Sequence, residues 1–377
     1  MRSFSLALLL LLTAAASAQD TTCTILCYHH VDPAGKNEYM VPPADFAAQL
    51  DYLKANKFTV LPMATVVDAY HGRGKLPPKS VVITIDDGWK CSNENALPLL
   101  KERGFPVTLF IYPAMVGSKG DKNSYADYQQ FAKDPLVSVA CHSWNHPNLL
   151  KDGEKVKGAA RDAWLQKEYV TSKTELETKL GFPVKWIAYP YGLYDAQVAA
   201  LVKQAGYEAA FSVNAAPNSA KSDVMFLNRI MIMKSDGMKG FTRKVNGLAL
   251  EIEQQTPPDG AIIAPGTRTI SAVISDPNVK PETVQLIMGK HHSTYDPATK
   301  VATITLPAPL APKVYQIAAQ AKDATTGKLR SASWLVRVKG ASVAAVAAAT
   351  ARAKAPKKPA KAQPRVSVED TETSGDE

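Results

Sequence analysis

The chain has 377 residues, 46% of them hydrophobic, with 44 Lys and Arg against 35 Asp and Glu for a formal net charge of +9. That length suggests two domains with tails, and that apolar fraction excludes a wholly disordered chain. The basic excess can draw the protein toward anionic polymers, but no basic motif interleaved with aromatics accompanies it. A solvated basic surface is therefore expected, with nucleic acid excluded as a partner.

The first eighteen residues read as a secretory signal peptide. Arg2 gives a positive start, Ser5 to Leu12 supply most of a short apolar stretch, and Ala16-Ser17-Ala18 offers a small-residue cleavage site. The stretch is too short for a good membrane span and no second one follows. A secreted or periplasmic protein without a transmembrane segment is expected, with cell-envelope or matrix association left open. Cleavage after Ala18 removes Arg2 and no acid, taking the charge from +9 to +8. Four cysteines remain: Cys23, Cys27, Cys91 and Cys141. Cys23 and Cys27 would lie about 13 Å apart on one strand, too far to pair with each other. None has the Cys-x-x-Cys spacing of a zinc or redox site, and buried free thiols compete with disulfides as the reading.

Thr24 to Tyr28 predicts a short buried strand that ends at His29 and His30. Pro42 and Pro43 precede a helix with Phe46, Leu50 and Leu53 at helical spacing. Phe58 to Leu61 predicts a strand and Ala64 to Tyr70 a short helix. Val81 to Trp89 is the most informative stretch: an unbroken β-prone run enters Asp86, Asp87 and Gly88. Such a run suits a strand buried on both faces. A helix near Glu94 to Arg103 follows, then strands at Val107 to Tyr112 and Val137 to Cys141. A helix carrying Leu165, Tyr169, Leu176 and Leu180 stops at Gly181. Val184 to Ala188, Ala209 to Val213 and Met225 to Met233 predict further strands, with a helix at Ala196 to Gln204. This alternation implies a largely parallel sheet with helices outside. The fold class expected is α/β, a closed or nearly closed (β/α) barrel over residues 19–245, with an open doubly wound sheet as the alternative.

From about Asn246 the pattern changes to short alternating runs: Arg268 to Ile274, Val284 to Met288, Val301 to Leu306, Val314 to Ala321 and Trp334 to Val338. These predict a small all-β sandwich over residues 246–340. It resembles the immunoglobulin-like modules appended to bacterial exported enzymes, with Tyr295 to Thr299 as a hairpin. Residues 341–377, rich in Ala, Lys and Pro and acidic at the end, are expected to be a disordered tail.

The chemistry concentrates at strand ends. Adjacent carboxylates such as Asp86 and Asp87 at the end of a buried strand must be paired, protonated or bound to a metal. Against this, Asp and Gly are common turn residues, and the pair alone could cap the next helix. His142 and His146 can meet one metal if the chain turns after the strand, although such spacing also arises by chance. Without the Glu of His-Glu-x-x-His, a metalloprotease is disfavoured. Together the two stretches fit one cation held by a carboxylate and two imidazoles, with the second carboxylate free as a base. Trp89 and Trp144 flank both motifs and suit either sugar stacking or wall packing. Cys141 suits the core rather than the metal.

Thr84-Ile85-Asp86-Asp87-Gly88, His142-Ser143-Trp144-Asn145-His146 and Ala188-Tyr189-Pro190-Tyr191-Gly192 resemble, in order and spacing, the first three motifs of the polysaccharide deacetylases, carbohydrate esterase family four. The resemblance covers roughly residues 24–235. It implies a distorted barrel and metal-dependent removal of N-acetyl groups from an amino-sugar polysaccharide. It casts Asp86 as general base and Asp87, His142 and His146 as ligands of a divalent ion, usually zinc, with nickel or cobalt as substitutes. It assigns the Tyr191 amide to oxyanion stabilisation. His29, Trp89, Trp144 and Pro190 are the candidate substrate contacts, with a packed structural role at the strand end as the alternative for His29.

Two departures stand out. Ala188 replaces the arginine that usually opens the third motif and orients the base, so another group must do so. No histidine appears in the last motif region, where Leu227-Asn228-Arg229-Ile230 stands. Both departures resemble the subgroup acting on β-1,6-linked N-acetylglucosamine exopolysaccharide, as does Tyr28-His29. They leave the general acid open, between a water on the metal, His29 and another residue. They also leave an alternative, a non-catalytic carbohydrate-binding surface protein.

Overall fold

The computed structural model describes residues 22–118 and 120–339. The expected signal peptide and the expected tail lie outside them. The first part is a parallel sheet that curls into a distorted (β/α) barrel. Its central strand, Ser80–Asp86, is buried along its whole length. It pairs in parallel with Cys23–Tyr28 on one edge and with Val107–Ile111 on the other, in a register that sets Asp86 beside Phe110. Val137–Cys141, Trp186–Ala188 and Ala209–Phe211 continue the sheet in that order.

The two faces of these strands separate cleanly. Ile25, Val82, Phe110, Ala140, Ala188, Phe211 and Leu227 form one cluster, which fills the barrel interior. Their neighbours Leu26, Ile83, Ile85, Leu109, Ile111 and Ile187 belong to the larger cluster against the helices. The period of two thus aims Asp86 and His142 inward at the C-terminal ends of their strands, because they share parity with Val82 and Ala140.

Closure is made by residues 224–231. The Ala210 amide donates to Val224, Leu227 and Ser212 amides donate to Ala210 and Leu227, and Ile230–Met231 then pairs with Cys23–Tyr28. Met225 to Met233 was expected as one strand; only Ile230–Met231 is regular. The preceding residues pair with the other edge, which bends the segment across the gap. The helix expected up to Gly181 contains a π-helical turn at Lys167–Thr171. Gly181 ends it with φ of 81°, as a left-handed C-cap requires.

The second part is all-β, in two facing sheets. Gln285–Met288, Val314–Lys322 and Leu329–Val338 lie in one. Ile252–Thr256, Thr269–Ile274, Val301–Thr305 and Thr294–Asp296 form the other, and the last two make the expected hairpin. Ile270, Leu286, Ile304, Ile317 and Trp334 build their shared core. This part is tied to the barrel by hydrogen bonds from Tyr194 Oη to Asp259 and from Ala196 N to the Gly260 carbonyl, and by an Arg337–Asp195 ion pair at 2.6 Å.

Candidate active site

At the C-terminal mouth of the barrel is a cavity of about 430 Å³, lined among others by His29, His30, Asp86, Asp87, His142, His146 and Arg229. Asp86 is buried at its base. Both Asp86 oxygens accept hydrogen bonds from Arg229, Nη1 to Oδ1 and Nη2 to Oδ2, each at 2.7 Å. The Cys27 thiol also donates to Oδ2, at 3.4 Å. Burial alone would raise the Asp86 carboxyl, but the Arg229 and His142 charges and the Arg229 hydrogen bonds reverse this. The group is held well below the usual carboxylate range.

Asp87 turns away from its neighbour because its φ is +70°. The donor atoms of Asp87, His142 and His146 all lie within 4.8 Å of one another. Asp87 Oδ1 is 3.8 Å from His142 Nε2 and 3.6 Å from His146 Nε2. It is buried and has no hydrogen-bond partner. His142 Nδ1 lies 2.8 Å from the Ala188 carbonyl. A carbonyl can only accept, so Nδ1 carries the proton and Nε2 presents a lone pair to the carboxylates. Burial pushes both imidazoles down, His142 to about 4. Neutral imidazoles and an orphaned carboxylate oxygen form a donor set that fits a divalent ion such as zinc.

The loop carrying the histidines is held from below. The His146 amide donates to Ser143 Oγ, and the Trp144 and Asn145 amides both donate to Glu168 Oε2 at 3.0 Å. Glu168 sits in the π-helical turn and is buried there. Asp87, Ser143, His146 and Tyr191 all have positive φ, four of the eight such non-glycine residues described. Their gathering at one mouth marks a geometrically constrained site. Gly88 also has positive φ, and a Cβ there would collide with Tyr128 Oη.

Tyr191 lies in the turn Pro190–Gly192, where its amide is one of the first-turn donors without an internal acceptor. The Ala188 carbonyl below it is already engaged by His142. The Tyr191 ring is 57% exposed and packs against His146.

His29 lines the cavity, with a buried Nδ1 that has no partner. Trp89, Trp144 and Pro190 do not line it, contrary to expectation. Trp89 is drawn against His30 and under Lys122, and Trp144 against Lys167. Pro190 is buried in its own turn. The tyrosine rings at the cavity are instead Tyr39, Tyr112, Tyr189 and Tyr191. All four cysteines are free thiols.

Arg229 escaped the reading of the sequence. It stands where the usual arginine is missing, reaching the same carboxylate from the closing segment rather than from the strand of Ala188. One signal was present: a lone guanidinium in an otherwise apolar run must find a buried partner.

Residues 73–210 match the family model for polysaccharide deacetylase. A poly-β-1,6-N-acetyl-D-glucosamine N-deacetylase of Staphylococcus aureus is 29% identical over 198 residues, 52% of this chain and 68% of that protein. The enzyme of the same name from Escherichia coli is 22% identical over 269 residues, 62% of this chain and 39% of that one. Among solved structures, IcaB from Ammonifex degensii superposes with a TM-score of 0.52 at 25% identity, covering 58% of this chain and 94% of its own. A polysaccharide deacetylase from Bacillus cereus gives 0.51 at 25% identity, covering 60% and 69%. The family match and these relatives support N-deacetylase hydrolase activity.

Proposed function

With residues 73–210 as a polysaccharide deacetylase segment, we propose that the protein is an exported, metal-dependent N-deacetylase of a polysaccharide containing N-acetylglucosamine, β-1,6-linked. The observation that carries this reading is the convergence of Asp87, His142 and His146 beside an ionised Asp86 at the foot of an open cavity. The linkage follows the relatives, which are named for it.

Asp87, His142 and His146 would hold the ion, which supplies Lewis-acid polarisation of the acetamide carbonyl and of the attacking water. Asp86 takes the proton of that water. Arg229 uses one lone pair on each Asp86 oxygen and Cys27 the second on Oδ2, which leaves Oδ1 with a lone pair free to accept it. The Tyr191 amide donates to the developing oxyanion, a contribution of about 3 kcal/mol in comparable sites. His29 then protonates the departing amine as the carbon–nitrogen bond breaks, giving acetate and a free amino sugar. Tyr39 and Tyr191, both exposed at the mouth, offer faces for sugar rings. Arg229 restores the base-orienting group whose absence favoured a non-catalytic binding protein. The all-β part, residues 246–340, we read as an immunoglobulin-like module that spaces or docks the barrel. The export reading rests on residues 1–18.

The test is acetate release from β-1,6-linked N-acetylglucosamine oligomers, chitooligomers and peptidoglycan, with chelator and then with zinc, nickel or cobalt restored. Metal-restored release from the β-1,6 oligomers alone is expected. Release only from another polymer would overturn the substrate, and release unaffected by chelator would overturn the metal.

A further inference from the structure

We propose that His30, Asp32 and Cys91 form a second metal site, for one zinc-like divalent ion, at the rim of the cavity and distinct from Asp87, His142 and His146. The donor atoms of these three residues lie within 4.8 Å of one another. In a tetrahedral site with zinc–sulfur about 2.3 Å and zinc–nitrogen about 2.0 Å, neighbouring donors stand about 3.5 Å apart. The cluster therefore needs to contract by at most about one ångström. One imidazole, one thiolate and one carboxylate are a donor set that zinc accepts, with one position left for solvent.

The scaffold fixes the donors before any ion arrives. His30 begins the strand His30–Val31, Asp32 follows it, and Cys91 lies in the first turn of the helix Lys90–Glu102. Strand and helix are stitched together: Val31 N donates to Ser92 Oγ, Ser92 Oγ to the His29 carbonyl, and Asn95 Nδ2 to the Val31 carbonyl. His30 is 9% exposed, and its Nδ1 has no hydrogen-bond partner. An unpartnered nitrogen so buried is costly unless something occupies it.

The electrostatics favour a cation. Burial, then hydrogen bonds to the Asp121 and Asp32 carboxylates, push the Cys91 thiol up to about 12. The thiol thus faces two acceptors that resist its ionisation. An incoming ion would reverse this: a metal–sulfur bond forms, the sulfur–hydrogen bond breaks and the proton passes to solvent. The opposing group is Lys122, whose ammonium lies over the Trp89 ring. Burial brings Lys122 down to about 8, which weakens its opposition to a neighbouring cation.

The experiment counts zinc bound to the full chain by equilibrium dialysis, and records the near-ultraviolet thiolate-to-metal band with cobalt in its place. The wild type, Cys91→Ser, His30→Gln and Asp87→Ala are compared, each checked for fold by circular dichroism. The wild type should bind about two ions, and Cys91→Ser and His30→Gln about one. Cys91→Ser should lose the cobalt band, and Asp87→Ala should lose one ion but keep the band. A wild type that binds a single ion without a thiolate band overturns the second site and leaves the first intact. So does a Cys91→Ser variant that still binds two. An Asp87→Ala variant that loses no ion overturns instead the assignment of the first site.

Discussion

Arg229 grips both oxygens of Asp86 at 2.7 Å, although 143 residues separate the two in sequence. Arg229 lies on the segment that closes the barrel, and its Nη1 also reaches Thr84 Oγ1 on the strand of Asp86. Closing the barrel and orienting the proposed base are therefore one structural event. Replacing Arg229 by Met leaves a buried carboxylate without its counter-charge. Loss of about 3–5 kcal/mol of stability is expected from denaturant unfolding. Arg229→Lys, which keeps the charge without the fork, should fall between. A Met variant as stable as the wild type would show that the pair contributes nothing to the fold.

Glu168 acts on the histidine loop from the π-helical turn. Replacement by Ala strips the Trp144 and Asn145 amides of their shared acceptor. A loss of about 10–100-fold in metal affinity is expected, by analogy with other groups that orient ligands. Gln, which keeps an acceptor oxygen, should recover most of it. Isothermal titration with zinc reads the difference, and unchanged affinity in the Ala variant would contradict the role.

Asp259 joins the barrel to the all-β part, accepting from Tyr194 Oη at 2.6 Å and from the Leu335 amide at 3.0 Å. Burial, only partly offset by those donors, pushes it up to about 7. Its folded value exceeds the unfolded one, near 4, so the folded state holds the proton more tightly. The stability this gives is fully present below pH 4 and is lost as pH rises toward 7. Asp259→Asn keeps an acceptor oxygen and cannot ionise. Its urea midpoint relative to the wild type should rise between pH 4 and 7 and then level off. A difference that does not change with pH would sink the argument.

Much of this fold was legible because the chemistry sits at strand ends. The run into Asp86 and Asp87 declared a buried strand, and Val137–Cys141 delivered His142 as its spacing implied. Buried free thiols are one of the two readings the sequence leaves open, and all four cysteines are free, Cys91 being only partly buried. What escaped depends on contacts between distant segments. Arg229 acquires its partner only through barrel closure. Glu168 becomes buried only because a π-helical turn shifts the helix register. The helix Tyr125–Phe131 was missed, although Ser124 and Asp127 form a capping box at its start. Trp89 and Trp144 adjoin the motifs in sequence, but backbone turns at Asp87, Gly88 and Ser143 carry them away from the cavity.

In the proposed mechanism two adjacent carboxylates take separate tasks, Asp86 for the proton and Asp87 for the ion. The most direct measurement pairs zinc binding with acetate release in Asp86→Asn and Asp87→Ala. Asp86→Asn should keep the ion held by Asp87, His142 and His146 and lose turnover by about 10²–10⁴-fold. Asp87→Ala should lose that ion and with it the activity. Wild-type zinc binding at that site in Asp87→Ala, or wild-type turnover in Asp86→Asn, would contradict the account.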